Sequence, residues 1–209
     1  MKYVKILGLA AVAAAALMAF VGAGTASAQN GEKTALCKVT PTNGICALEN
    51  TYPAGTVVES EATETATLTP SGELPTITCT SSKLSGKTET ETTPEGKITE
   101  LTWGGCNQTV ETKENGKLII HHDGEHNGTI TAEGVSVTVS ALFGSLHCDF
   151  GGTIKEGLTL TGGNPAIVDA TATVKLVKQT GFFTCPGTAV WHAKYKVTSP
   201  TPLYVGTHA

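Results

Sequence analysis

From Ala189 the chain alternates without a break. Ala189, Trp191, Ala193, Tyr195 and Val197 share one parity, while His192, Lys194, Lys196 and Thr198 share the other. Successive strand side chains point to opposite faces, so this pattern predicts a strand with one apolar face turned to a core. The same period recurs at Val135, Val137, Val139 and Ala141, with Ser136, Thr138 and Ser140 opposite, and at Ala170, Ala172, Val174 and Leu176. Shorter strands are predicted at residues 56–59, 63–69, 77–86, 98–103, 108–113, 117–121, 128–132, 146–150 and 158–161. Turn chemistry separates them, at Pro53-Ala54-Gly55, Pro70-Ser71-Gly72, Asn115-Gly116 and Gly162-Gly163-Asn164-Pro165.

Residues 87–100 are rich in threonine and glutamate and predict a solvated hairpin or an edge. Ser199-Pro200-Thr201-Pro202 ends the strand begun at Ala189, because proline cannot donate to a ladder. Leu203-Tyr204-Val205 then alternates again and is predicted to pair as a terminal strand covering apolar side chains near Trp191 and Tyr195. Past residue 28 no apolar spacing of 3.6 holds across three turns. About ten short strands at intervals of roughly 8 to 12 residues predict an all-β, antiparallel β-sandwich, with a barrel as the alternative. No period of about 20 to 50 residues repeats, which excludes a solenoid or propeller.

Residues 1–28 have a different pattern. Lys2 and Lys5 precede an apolar run from Ile6 to Val21, and Ala26-Ser27-Ala28 is a small-residue cleavage site before Gln29. This is the pattern of a signal peptide. Residues 29–209 are then a single β-sandwich domain of 181 residues, secreted to the extracellular side, with no membrane span after cleavage.

All six cysteines, Cys37, Cys46, Cys79, Cys106, Cys148 and Cys185, fall in that part. An even count in an exported chain predicts disulfides, and no Cys-x-x-Cys pair suggests zinc. Six cysteines allow 15 connectivities. The expectation is the sequential one, Cys37 with Cys46, Cys79 with Cys106 and Cys148 with Cys185.

Without Lys2 and Lys5 the chain carries 12 lysines against 18 acids, a net charge of −6, and it has no arginine. Arginine supplies the bidentate forks that read phosphates and base edges, so nucleic acid is not an expected partner. The domain is threonine-rich, which suits pleated faces exposed to water.

Catalytic chemistry has few footholds. Past residue 28 there are three aspartates, Asp123, Asp149 and Asp169, and neither a Gly-x-Ser-x-Gly nor a His-Glu-x-x-His motif. The one dense cluster of ligating residue types is His121-His122-Asp123-Gly124-Glu125-His126. His121, His122 and His126 are the candidates for a weak zinc or copper site, His121 converging with Glu125 or His126. The plainer reading is an exposed turn, and no metal or other cofactor is assigned. His147 reads as an outward strand residue, and Trp191 with Tyr195 as core. Asn107-Gln108-Thr109 and Asn127-Gly128-Thr129 match glycosylation acceptors in form.

Several separated motifs, Tyr52-Pro53-Ala54-Gly55-Thr56, Ile77-Thr78-Cys79 with Leu84-x-Gly86-Lys87, Gly162-Gly163-Asn164-Pro165-Ala166, and Cys185-Pro186 followed by Trp191-x-Ala193-x-Tyr195-x-Val197 and Leu203-Tyr204-Val205, resemble a widespread group of secreted, uncharacterised bacterial β-rich proteins. The resemblance spans most of residues 29–209. It implies a disulfide-containing β fold without assigned catalytic residues. Members of the group often carry a further cysteine shortly before the counterpart of Cys148, where Gly144-Ser145-Leu146-His147 offers none.

The sequence thus predicts a secreted, non-catalytic binding or structural module at or outside the cell surface, with cell-envelope or extracellular matrix components as its partners. A secreted glycosidase-like hydrolase using dispersed carboxylates is the alternative. It would need two acids about 5 to 10 Å apart in a cleft.

Overall fold

The structure is a computed structural model that describes residues 33–89 and 94–208. The segment read as a signal peptide lies outside the described residues. Fourteen strands follow in order among those described: β1 (Thr34–Cys37), β2 (Ile45–Cys46), β3 (Val57–Ala62), β4 (Ala66–Pro70), β5 (Ile77–Thr88), β6 (Glu95–Cys106), β7 (Thr109–Glu114), β8 (Lys117–His122), β9 (Gly128–Ala141), β10 (Leu146–Ile154), β11 (Leu158–Thr161), β12 (Ile167–Gly181), β13 (Thr188–Ser199) and β14 (Tyr204–His208). A single turn of 3-10 helix at Leu48–Asn50 and a left-handed turn at Leu142–Gly144 complete the described elements. The all-β, antiparallel, disulfide-containing class expected from alternation is the class adopted.

β3 to β13 join one eleven-stranded sheet. Its ladders return to their start: β9 pairs β8, β8 pairs β6, β6 pairs β5, β5 pairs β3, β3 pairs β13, β13 pairs β12, β12 pairs β11, and β11 pairs β9. Two packed walls are therefore continuous around their edges, the barrel-like form of the architecture. Closure of this first tier removes its unpaired edges, which would invite association.

The long strands β5, β6, β9, β12 and β13, of 12 to 15 residues, run through two tiers. β3, β8 and β11 fill one tier between them, and β4, β7 and β10 fill the other. Residues 128–132 and 135–141, predicted as two strands, form the single strand β9, which passes from β8 to β7 at Gly134 (φ +68°). Opposite it, Gly116 holds φ +63°, and a Cβ there would lie 2.2 Å from the Glu133 carbonyl oxygen. Only glycine fits that crossing. Of the two forms expected for residues 87–100, the hairpin is the one adopted: Lys87 and Thr88 of β5 pair with Lys97 and Gly96 of β6, whose other side pairs with β8, so this stretch is not an edge.

Along the second tier β6 and β7 share no ladder among the described residues. The Thr112 hydroxyl donates to the Leu101 carbonyl (2.6 Å) and receives the Trp103 Nε1 proton (3.2 Å), so side chains bridge the seam.

The faces predicted on β13 hold. Ala189, Ala193, Tyr195 and Val197 are buried, and Trp191 is half-buried beside them. Tyr195 lies wholly inside, its hydroxyl 3.0 Å from the Ser82 hydroxyl. Burial pushes its pKa up to about 12, with the Ser82 hydrogen bond pulling weakly the other way. A raised folded-state pKa means stability that is complete below the unfolded value near 10 and lost as pH rises through about 12. We expect about 2 to 3 kcal/mol to be lost over that window. Y195F should flatten most of that alkaline loss, read as denaturation midpoint against pH, while weakening the fold at neutral pH by about 1 to 2 kcal/mol because Ser82 loses its partner.

The C-terminal strand is placed differently from the prediction. β14 does not extend the large sheet; it is the centre of a separate three-stranded sheet, antiparallel to β1 and parallel to β2. Leu203 and Val205 are buried, but Leu203 meets Leu36, Ile130, Leu160 and Val197 around a small apolar cavity instead of covering Trp191 and Tyr195. The reason is register: the Leu203 amide and carbonyl exchange hydrogen bonds with Gly163, and the Val205 amide donates to the His126 carbonyl, which leads the chain past the β8–β9 loop to β1.

Candidate functional site

The histidine loop disperses its ligands. His121 Nε2 is 3.4 Å from the Thr131 hydroxyl, on the strand pair β8–β9. His122 Nε2 lies 3.5 Å from the Glu125 carbonyl, and the His126 ring stands edge-on to Tyr204, centroids 5.9 Å apart. An open depression of about 550 Å³ is lined by Pro41, Asn43, Gly44, His122, Gly124, Glu125 and His126, without His121. No group of three or more His, Cys, Asp or Glu side chains is placed to hold a metal ion among the described residues.

The remaining candidates are tied into the fold. His147 Nδ1 is 2.8 Å from the Ser140 hydroxyl. Asn107 accepts from the Thr78 amide (2.9 Å) and donates through Nδ2 to the Thr76 carbonyl (3.0 Å), so the nitrogen a glycan would need is engaged. Asn127 Oδ1 accepts from the Gly162 amide (3.1 Å). Trp191 stacks edge-on to both Trp103 and Tyr195, each at 6.4 Å. The cysteines pair as Cys37–Cys46, Cys79–Cys106 and Cys148–Cys185.

The most unusual surface lies at the end of the second tier. Four connections meet there, residues 71–76, 107–108, 142–145 and 182–187. Their proximity is fixed by register and contact: Leu146 pairs with both Ala141 and Gly181, the Ser71 amide donates to the Thr188 carbonyl, and the Asn107 amide donates to the Thr78 carbonyl. Phe143 and Phe182 stand fully in solvent, at 109% and 99% relative exposure, and Phe183 and Leu142 are exposed at 56% and 41%. Water around apolar rings is unfavourable, and clustered exposed rings are a feature that interaction surfaces share.

The rings are held outward. Leu142 and Phe143 both adopt left-handed backbone, φ +52° and +58°, which costs a residue with a Cβ about 1 to 3 kcal/mol. On the neighbouring loop Cys185, two residues past Phe183, is bonded to Cys148 of β10, and its amide donates to Gln179 Oε1 (3.0 Å). Cys79–Cys106 fastens β5 to β6 at the same end.

Charge is nearly absent from this end. Residues 101–110, 134–148 and 179–193 contain no Asp, Glu or Lys, and residues 70–82 contain one, Glu73. The ion pairs of Lys117 with Glu95 and Glu133, and of Lys196 with Glu61, sit in the other tier, and His192, which meets Glu64 at 3.2 Å, lies farther down the β13–β4 ladder. Between the loops is an open depression of about 770 Å³ bordered by Pro75, Trp103, Asn107, Val110, Ser140 and Phe143 among others, with no carboxylate in its lining.

Motif-based reasoning passes over Phe143, Phe182 and Phe183 because no chemical motif contains them. A signal exists nonetheless: of five phenylalanines in the chain, four follow residue 28, and three of those sit in breaks of the alternation beside Gly144 and Gly181. Compared with known proteins, the chain matches no family model, no curated protein and no solved structure. Three disulfides and the absence, among the described residues, of a helix long and apolar enough to cross a membrane are compatible with an extracellular protein.

Proposed function

We propose that this chain is an exported, non-catalytic binding module that acts at or outside the cell surface, and that the phenylalanine-bearing end of the barrel is its contact surface. The observation that carries this reading is the outward display of Phe143, Phe182 and Phe183 on two adjoining loops of an end nearly free of charge. Two disulfides, Cys79–Cys106 and Cys148–Cys185, tether the chain at that end, and a tethered loop loses less freedom on binding. The hydrolase alternative finds less support: none of the cavities described above is lined by two carboxylates.

The test is binding of the purified protein to an isolated cell-envelope fraction. The variant F143S/F182S/F183S should lose at least about tenfold in affinity, because burial of one such ring is worth about 1.5 to 3 kcal/mol. H122A, in the distant loop, should bind as wild type. Equal binding by wild type and the triple variant would refute the reading.

A further inference from the structure

We propose that the partner met by this end is a zwitterionic lipid bilayer, with Phe143, Phe182 and Phe183 entering its acyl boundary. This rests on the reading of that end as the contact surface, and it names what the surface contacts.

Phe143 and Phe182 are exposed to the full extent of their side chains, so they stand clear of their neighbours as protrusions. A protein partner would have to supply a pocket fitted to each ring, whereas acyl chains flow around a protruding ring and need no preformed complement. The residue types agree. Energetic centres of protein interfaces are enriched in Trp, Tyr and Arg and depleted in Leu. Neither loop contains a tryptophan, tyrosine or arginine, and a leucine, Leu142, stands beside Phe143. A side chain without a polar atom gains most in a phase that offers no hydrogen bonds.

The distribution of charge fits a bilayer in depth. Interfacial apolar groups enter about 5 to 10 Å. On β12 the first charges behind Phe182 are Lys178, cross-strand from Asp149 of β10, and then Lys175, while the neighbouring 71–76 loop, whose Gly72 lies beside Pro186, carries one exposed acid, Glu73. Lys178 is four residues back, at most about 13 Å along an extended strand, which puts it at or just outside the headgroups when the rings are inserted. A lysine and an aspartate side by side match a headgroup that carries both signs, and the excess of acids over lysines in residues 29–209 gives no attraction to an anionic surface. The anchoring is apolar, not electrostatic.

The experiment is flotation of the full exported chain with phosphatidylcholine vesicles. Wild type should float with the vesicles, F143S/F182S/F183S should lose at least about tenfold in partitioning, and raising salt from about 0.1 to about 1 M should leave wild-type binding unchanged. F143W should show a blue shift of emission on adding vesicles, relative to wild type. Because all three rings are exposed, their substitution should leave the melting temperature unchanged, which separates lost binding from lost folding. Failure of wild type to float overturns the proposal. If wild type then still binds lipid-extracted envelope through the same phenylalanines, the contact surface stands and only its partner was misassigned. Flotation that survives the triple substitution, or that salt abolishes, also overturns it. A wild-type dimer that the triple variant converts to monomer, with no flotation, would assign the surface to a second copy of the chain instead.

Discussion

Deleting residues 203–209 is expected to lower the melting temperature by about 10 to 20 °C or to prevent folding. Leu203 and Val205 are buried to 2% and 0% exposure, each worth about 1.5 to 3 kcal/mol against water. In a domain of this size each kcal/mol moves the midpoint by about 2 to 4 °C. Removing β14 also takes away the only strand between β1 and β2, since neither pairs with the other. The Gly44, His126 and Gly163 carbonyls, which accept from the Thr207, Val205 and Leu203 amides, would lose their partners. Apolar surface exposed beside unpaired strands favours association, so the truncated chain should also elute earlier in gel filtration. An unchanged midpoint and elution volume would mean that the C-terminal segment is a tail.

Reduction of all three disulfides is the second large effect. The bridged cysteines are separated by 9, 27 and 37 residues. The loop-entropy relation assigns such closures about 2.5 to 4 kcal/mol each, and together they approach the whole stability of an ordinary domain, about 5 to 15 kcal/mol. We expect the midpoint to fall by about 20 to 40 °C on full reduction. The pairs are not equivalent in function. C148S/C185S should cost about 4 kcal/mol and also weaken envelope binding, because it frees the loop that carries Phe182 and Phe183. C37S/C46S, in the small sheet, should lower stability without touching binding. A midpoint that shifts by less than about 5 °C on full reduction would show that the bridges constrain little.

Residues that alternate across two unlike environments declared themselves in the sequence. On β13 the apolar parity, Ala189 to Val197, faces the core and the polar parity faces water, so period and burial coincide. On β9 they coincide less well: Ser136 is buried while Val137 is only partly so, because Gly134 bends the strand where it changes partners. β1 gave no signal. Its Ala35, Leu36 and Cys37 are buried by segments that arrive from elsewhere in the chain, β14 among them, and four residues hold too little pattern to show that. Ring closure was illegible for the same reason: ladders such as β11–β9 and β13–β3 join distant segments and leave no local trace. The histidine cluster was conspicuous in sequence, yet the hairpin sends His121 to Thr131 and His126 to Tyr204. Phe143 and Phe182 are the converse, inconspicuous until the register of β9, β10 and β12 brings their loops side by side.

The most direct measurement of the contact surface is amide hydrogen exchange of the wild-type protein, free and bound to the envelope fraction, with F143S/F182S/F183S as the control. Binding should slow exchange at residues 142–146 and 180–187, leave residues 121–127 as they are in the free protein, and produce no change in the triple variant. Protection centred on residues 121–127, or protection at the phenylalanine loops that persists in the triple variant, would contradict the account.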